Sequence, residues 1–356
     1  MRSVFSMAAV AGMALTSFVS AAPIESRDSP AFPLSDGFPN PSGAQILQIQ
    51  QRAGGTLPNG KGAPPVSEDG LISLRLIALN ELFEVAFFTE LYQNLTTKVP
   101  GYDLGNGHQF ILDAIEAVVA QEELHALNAN GGLKANGAEP ILPCKYSFPV
   151  SNFKDAIALA ATFTDVVLGT LQDVQFKFAA SGDINNVRGI GSVVGQEGEQ
   201  EGFYRLLQSK KPSALPFLTT SVRDFAFTAI QGFTVPGSCP NIDTIKLTTF
   251  QPLTVLTTLS AQSTTAEFSF DKTKAGTDDY STLSLVYINQ QNVPIVEKLT
   301  VVGTYGNTVK VTAYFPYSEF ELNGLTIAAI AKGNSFANAD EVAKAAIFGP
   351  GLIEIN

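Results

Sequence analysis

The hydrophobic period of the chain changes once, at Cys239, and that change divides what it can fold into. From Ser67 to Cys239 apolar residues recur every three to four positions, the spacing of a helix with one buried face. After Cys239 they recur about every second position in short runs broken by turns such as Lys274-Ala275-Gly276 and Tyr305-Gly306-Asn307, the spacing of antiparallel strands. Helices first and strands afterwards build two cores rather than one βαβ sheet. The expected fold class is therefore α+β, with a helical bundle over 67–238 and an antiparallel β-sandwich over 239–356.

Within the first part the spacing predicts long helices over Ser67–Tyr92, His108–Asn128, Asn152–Ala180 and Asn185–Gln208, then a shorter one over Thr219–Phe233. Ser67-Glu68-Asp69 reads as an N-cap followed by acids that suit a helix start, and Asn130-Gly131-Gly132 reads as a stop. Residues 22–66 are rich in Pro, Gly and Ser and read as a loose leader with one short helix at Ala44–Arg52. The strand candidates are Thr244–Thr249, Leu253–Thr258, Thr265–Phe270, Thr282–Ile288, Val293–Val302, Thr308–Phe315, Leu325–Ala331 and Leu352–Ile355.

Residues 1–21 read as a secretory signal peptide: Arg2 opens it, Met7–Val19 is a short apolar core, and Val19-Ser20-Ala21 is a small-residue cleavage site. No later stretch offers about twenty uncharged apolar residues in a row, so no membrane span is expected. In an oxidising compartment Cys144 and Cys239 would most simply form one bridge, two buried thiols being the other arrangement. Asn94-Leu95-Thr96 is the one usable glycosylation sequon, placed just after the first long helix. With a formal net charge of −11 and no run of Lys or Arg, the chain suits neither nucleic acid nor anionic membrane surfaces.

Carboxylates interrupt the apolar stripes of three helices. On the first, Leu74, Ala78, Glu81, Val85, Phe88 and Tyr92 share a face. The second carries Ile111, Ile115, Val118, Glu122 and His125, and the fourth Ile190, Val193, Glu197, Gln200, Tyr204 and Leu207. Burying one ionised carboxylate without a partner costs several kcal/mol at least, and three together cost far more. Basic residues that could compensate are few, Arg75 and Arg205 among them. A cation held between the helices is the natural compensator, and Glu-x-x-His on facing helices is how such sites are built. Glu84, Glu123, Glu199 and Glu201 fall off these stripes and are expected in solvent or at the margin of the site. His108 is expected to start a helix.

The motifs Glu81-Leu-Phe-Glu84-Val-Ala-Phe-Phe88, Glu122-Glu-Leu-His125 and Glu197-Gly-Glu-Gln200-Glu-Gly-Phe-Tyr-Arg205 resemble the ferritin-like superfamily. The nearest branch in pattern is the secreted fungal group known as late sexual development proteins, with plant desiccation-related proteins more distant. The resemblance covers roughly 67–235 and implies a ferritin-like four-helix bundle with a di-metal pattern. Glu81, Glu122, His125 and Glu197 match one complete ligand set. The private ligands of the second metal are replaced: Thr164 stands where the third-helix Glu belongs, with Asp165 about 100° around the helix, and Gln200 stands for the second His.

What the resemblance implies is a secreted protein of the fungal surface, with a role in development or stress, binding one Fe, Mn or Zn ion or none. Its β domain would serve contact with cell wall or matrix, with no partner identified. The surviving ligand set also fits a metal-dependent oxidoreductase, whether ferroxidase, oxidase or manganese catalase-like. Iron storage fits poorly, because a closed shell would have to accommodate the second domain. The residues alone equally allow a protonated polar network of Glu81, Glu122, His125 and Glu197 with Thr164, Gln200 and Tyr204.

Overall fold

The computed structural model describes residues 30–60 and 65–355, so the signal-peptide reading of 1–21 lies outside the described residues. Two compact units are present: one takes residues 30–213 and 218–250, the other 214–217 and 251–355. The expected boundary at Cys239 therefore falls twelve residues early, since 239–250 belongs with the helices.

The helical unit contains α1 (Gly43–Ala53), α2 (Glu68–Thr96), α3 (His108–Ala135), α4 (Phe153–Ala180), α5 (Ile184–Leu207) and α6 (Arg223–Gln231). Side-chain caps set three of the six helix starts. Ser42 and Gln45 form a reciprocal capping box on α1, Ser67 accepts from Gly70 N on α2, and Asn152 accepts from Asp155 N on α4. Asp183, preceding α5, instead accepts from the Ser67 main-chain N and hydroxyl, which ties the starts of α2 and α5 together. The guanidinium of Arg223, at the head of α6, reaches Asp69 Oδ1 at 2.8 Å and Ser73 Oγ at 2.9 Å on α2, while its main-chain N donates to Asp173 on α4.

Inside these helices Phe83, Phe87, Phe88, Phe148 and Phe163 meet largely edge to face, with centroids 5.0–5.8 Å apart. Every residue from Leu76 to Thr89 is buried, so this part of α2 runs through the interior with no wet face. Helix α4 is long and apolar enough to cross a membrane by length and mean hydropathy, although Asp165 and Asp173 keep it from being the uncharged run that a span was expected to need. Its apolar window is 89% buried within the protein, which is how a core helix passes that test.

Several expectations are corrected. Helix α3 continues through Gly131-Gly132 to Ala135, because Gly132 packs against Leu74 of α2, where an added Cβ would sit 3.3 Å from the side chain. Residues 30–60 of the leader are not loose: Phe38 and Ile49 are fully buried, Ile49 against Ala120 and Leu124 of α3. Asn94 lies inside the last turns of α2 and is buried, rather than following the helix in solvent. The segment Thr244–Thr249 forms no strand; a 3-10 turn at Ile242–Thr244 leads the chain back against the helices through Ile245 and Leu247.

The second unit holds two antiparallel four-stranded sheets, ordered β1-β2-β6-β5 and β4-β3-β7-β8. The strands are β1 (Thr254–Val255), β2 (Thr264–Asp271), β3 (Leu283–Asn289), β4 (Ile295–Lys298), β5 (Thr300–Tyr305), β6 (Thr308–Phe315), β7 (Gly324–Lys332) and β8 (Ala346–Ile355). The short helices α7 (Tyr317–Phe320) and α8 (Ala339–Ala345) lie between the last of them. The sheets pack face to face, with Phe270 against Phe348 and Tyr287 against Phe315 at 4.5 and 5.3 Å. The single expected strand Val293–Val302 is two: β4 pairs with β3, and after Leu299 the chain crosses into the other sheet as β5 beside β6.

The Cys144–Cys239 disulfide is formed, across a separation of 95 residues within the helical unit. Replacing Cys239 with Ser releases that loop in the unfolded chain and is expected to destabilise the helical unit by about 4 kcal/mol. The denaturant midpoint of the variant, compared with the oxidised protein, measures the loss.

Candidate metal centre

Glu81 projects from α2, Glu122 and His125 from α3, and Glu197 from α5. Each offers one ligand atom, and these four atoms lie within 4.8 Å of one another. His125 Nδ1 is the hub, 2.8 Å from Glu122 Oε2, 3.4 Å from Glu81 Oε2 and 4.0 Å from Glu197 Oε1. The i, i+3 spacing of Glu122 and His125 puts both on one face of α3, and the stripe positions of Glu81 and Glu197 turn those carboxylates to meet them.

All three carboxylates are almost wholly buried, at 1%, 0% and 1% exposure for Glu81, Glu122 and Glu197. Neither oxygen of Glu81 or of Glu197 has a hydrogen-bond partner among the described residues. Buried polar atoms are otherwise nearly always satisfied. Four buried oxygens without a hydrogen bond, two of them within ion-pair distance of the His125 imidazole, therefore fit a cation, and three carboxylates with one imidazole form a hard, mixed O/N donor set. When bound there, Fe or Mn would supply one-electron redox chemistry and Zn Lewis acidity.

Without a cation, protons must do the neutralising. Burial pushes Glu81 up to about 7, against the pull of His125. Glu197 is raised well above the ordinary carboxylate range by burial and by the charges of Glu81 and Glu122. Burial opposes the charge on His125, but Glu122 and Glu81 outweigh it and hold the imidazole well above its usual value.

The two positions at which the resemblance would expect further ligands are both interior. Thr164 is buried in α4, outside the four-donor group. Gln200 donates from Nε2 to Glu122 Oε1 at 2.6 Å and accepts from the Tyr204 hydroxyl at 3.3 Å. Tyr204 is fully buried and stacks on Phe88.

Three acids expected in solvent or at the margin are buried. Glu84 is 2% exposed, and burial together with the charges of Glu197, Glu122 and Glu81 raises it well above its usual value. A stripe argument assumes that a helix has a wet side, and α2 has none here; the signal that would have found Glu84 is its i, i+3 spacing from Glu81 in a helix apolar all round. Glu123 faces away from the centre and is covered by α1, where it pairs with Arg52 at 3.2 Å; Arg52 also bonds Asp36. Glu201 is buried on α5 near Tyr204, whose hydroxyl is held well above its usual value first by burial and then by the charges of Glu122, Glu84, Glu201 and Glu197. Glu199 is exposed, as expected, and His108 begins α3.

No family model and no curated protein matches this chain.

The protonated interior fixes the sign of a pH dependence. Burial and the neighbouring Asp36 raise Glu123 to about 8, and Glu81 rises to about 7, both from 4.5. The native state thus binds more protons than the unfolded chain between these limits, and stability falls as pH rises. His125 acts in the same direction. In chelator the melting temperature is expected to be higher at pH 5 than at pH 8, and Mn²⁺ or Zn²⁺ added at pH 8 should recover part of the loss. A melting temperature that rises with pH in chelator would contradict the protonated interior.

Proposed function

We propose that this chain is a secreted, ferritin-like protein that holds one divalent cation between Glu81, Glu122, His125 and Glu197 and does not use a paired-metal centre. The observation that carries the reading is the set of four buried donor atoms within 4.8 Å, two of whose carboxylates lack any hydrogen bond. The donors come from α2, α3 and α5, three of the four long helices to which the resemblance would assign a bundle, and this supports the reading. Thr164 and Gln200 remove the two ligands that a second ion would require in that pattern. Secretion is supported by the reading of residues 1–21 and by the disulfide, which is compatible with an oxidising compartment. A role at the fungal surface in development or stress follows from the resemblance, as does contact of the sheet unit with wall or matrix.

Elemental analysis of protein purified from its own secretory pathway tests the reading. About one equivalent of Fe, Mn or Zn per chain is expected. Glu122→Ala and His125→Ala should each weaken binding by roughly tenfold or more, since even outer partners of a metal ligand are worth 10–100-fold. Protein that carries no metal, and that gains no thermal stability from any of the three ions, would sink the proposal. Consumption of oxygen or peroxide by the loaded protein would favour the oxidoreductase instead.

A further inference from the structure

Gln200 occupies the one side of Glu122 that His125 leaves open. Its Nε2 lies 2.6 Å from Glu122 Oε1 and 3.1 Å from Gln121 Oε1, and its Oε1 accepts from the Tyr204 hydroxyl. The whole amide is therefore engaged, with two hydrogens donated and the carbonyl accepting.

The orientation of that amide is dictated from both ends. At one end the Ala53 main-chain carbonyl, at the last residue of α1, can only accept. Gln121 turns its Nε2 to it at 3.3 Å, and this leaves Gln121 Oε1 facing α5. That oxygen collects Gln196 Nε2 and Gln200 Nε2, each at 3.1 Å. At the other end stands the Glu122 carboxylate. Turning the Gln200 amide over would set three acceptor oxygens against one another, which the donor inventory of these groups does not allow without an added proton.

We propose that Gln200 fixes the centre at one cation, its amide nitrogen serving Glu122 Oε1 as an uncharged substitute for a second ion. Glu122 then offers a cation only Oε2, the oxygen beside His125 Nδ1. The carbonyl oxygen of Gln200 is spent on Tyr204 and is not available as a ligand. Glu84, buried with its Oε1 unpartnered and near enough to Glu122 and Glu197 to feel their charges, has the chemistry of a further ligand. The inference rests on the one-cation reading and adds the residue that sets the number.

The test is a Mn²⁺ titration of the chelator-stripped protein, with bound metal counted after gel filtration and Mn–Mn coupling read by electron paramagnetic resonance. The natural chain is expected to saturate at one equivalent without coupling. Gln200→Glu puts a carboxylate oxygen where the amide nitrogen donates and, with the buried Glu84 standing in for the ligand absent at Thr164, should saturate at two equivalents with a coupled signal. One equivalent in Gln200→Glu would overturn the inference while leaving the one-cation reading standing, whereas two in the natural chain would overturn both. If Gln200→Glu does not fold, Gln200→His, which removes the amide donor and offers an imidazole nitrogen, is counted in its place: two equivalents are expected, and one overturns the inference. No binding in either protein sinks the cation reading and this inference together.

Discussion

Negative charge held inside an apolar helical core is the constraint on which the rest of this structure depends. Glu81, Glu84, Glu122 and Glu197 come from three helices into a space walled by Phe, Leu and Val, with His125 as the one imidazole among them. Ionised and alone, each would cost several kcal/mol to bury. A cation meets that cost with directional bonds; protons meet it by neutralising carboxylates that burial holds above their usual range, Glu81, Glu84 and Glu197 among them. Both solutions need the helices to stay in register, because a carboxylate that loses its neighbours also loses whatever neutralised it.

The packing around the centre serves that need. Arg223 draws α6, α2 and α4 together, and Asp183 links the start of α5 to that of α2, so three of the ligand-bearing or flanking helices are fixed at one end. On the far side of α3 the leader helix α1 covers Glu123 and pairs it with Arg52. Through Ala53, Gln121 and Gln200 the same leader helix sets the direction of a hydrogen-bonded chain that ends on the Glu122 carboxylate. A segment that composition alone would assign to a flexible leader is thus part of what orients Glu122.

The sheet unit follows simpler rules. In β6, Val309, Val311, Ala313 and Phe315 point inward while Thr308 and Tyr314 are exposed, which is the alternation of a half-buried strand. Central strands β3 and β7 are buried at nearly every position and read as near-continuous apolar runs. The crossing at Leu299 is where the simple pattern fails: a run of strand-forming residues hides a change of sheet, since both halves have the same period and only their partners differ.

The sequence by itself determined the kinds of element, their order and the stripe positions of Glu81, Glu122, His125 and Glu197, because helical and strand periods are local properties and a charged residue on an apolar stripe is visible at a glance. It also supplied the cysteine pair, since a chain with two cysteines offers only one intramolecular bridge. Tertiary structure decided what lies on the other side of each helix. Glu84 and Glu123 were unreadable as buried acids because the packing of α2 and the covering of α3 by α1 come from residues far away in the chain. The continuation of α3 through two glycines was decided by Leu74 of another helix, and the orientation of Gln200 by a carbonyl 147 residues earlier. Local pattern can place a charge on a face; only the fold says what that face meets.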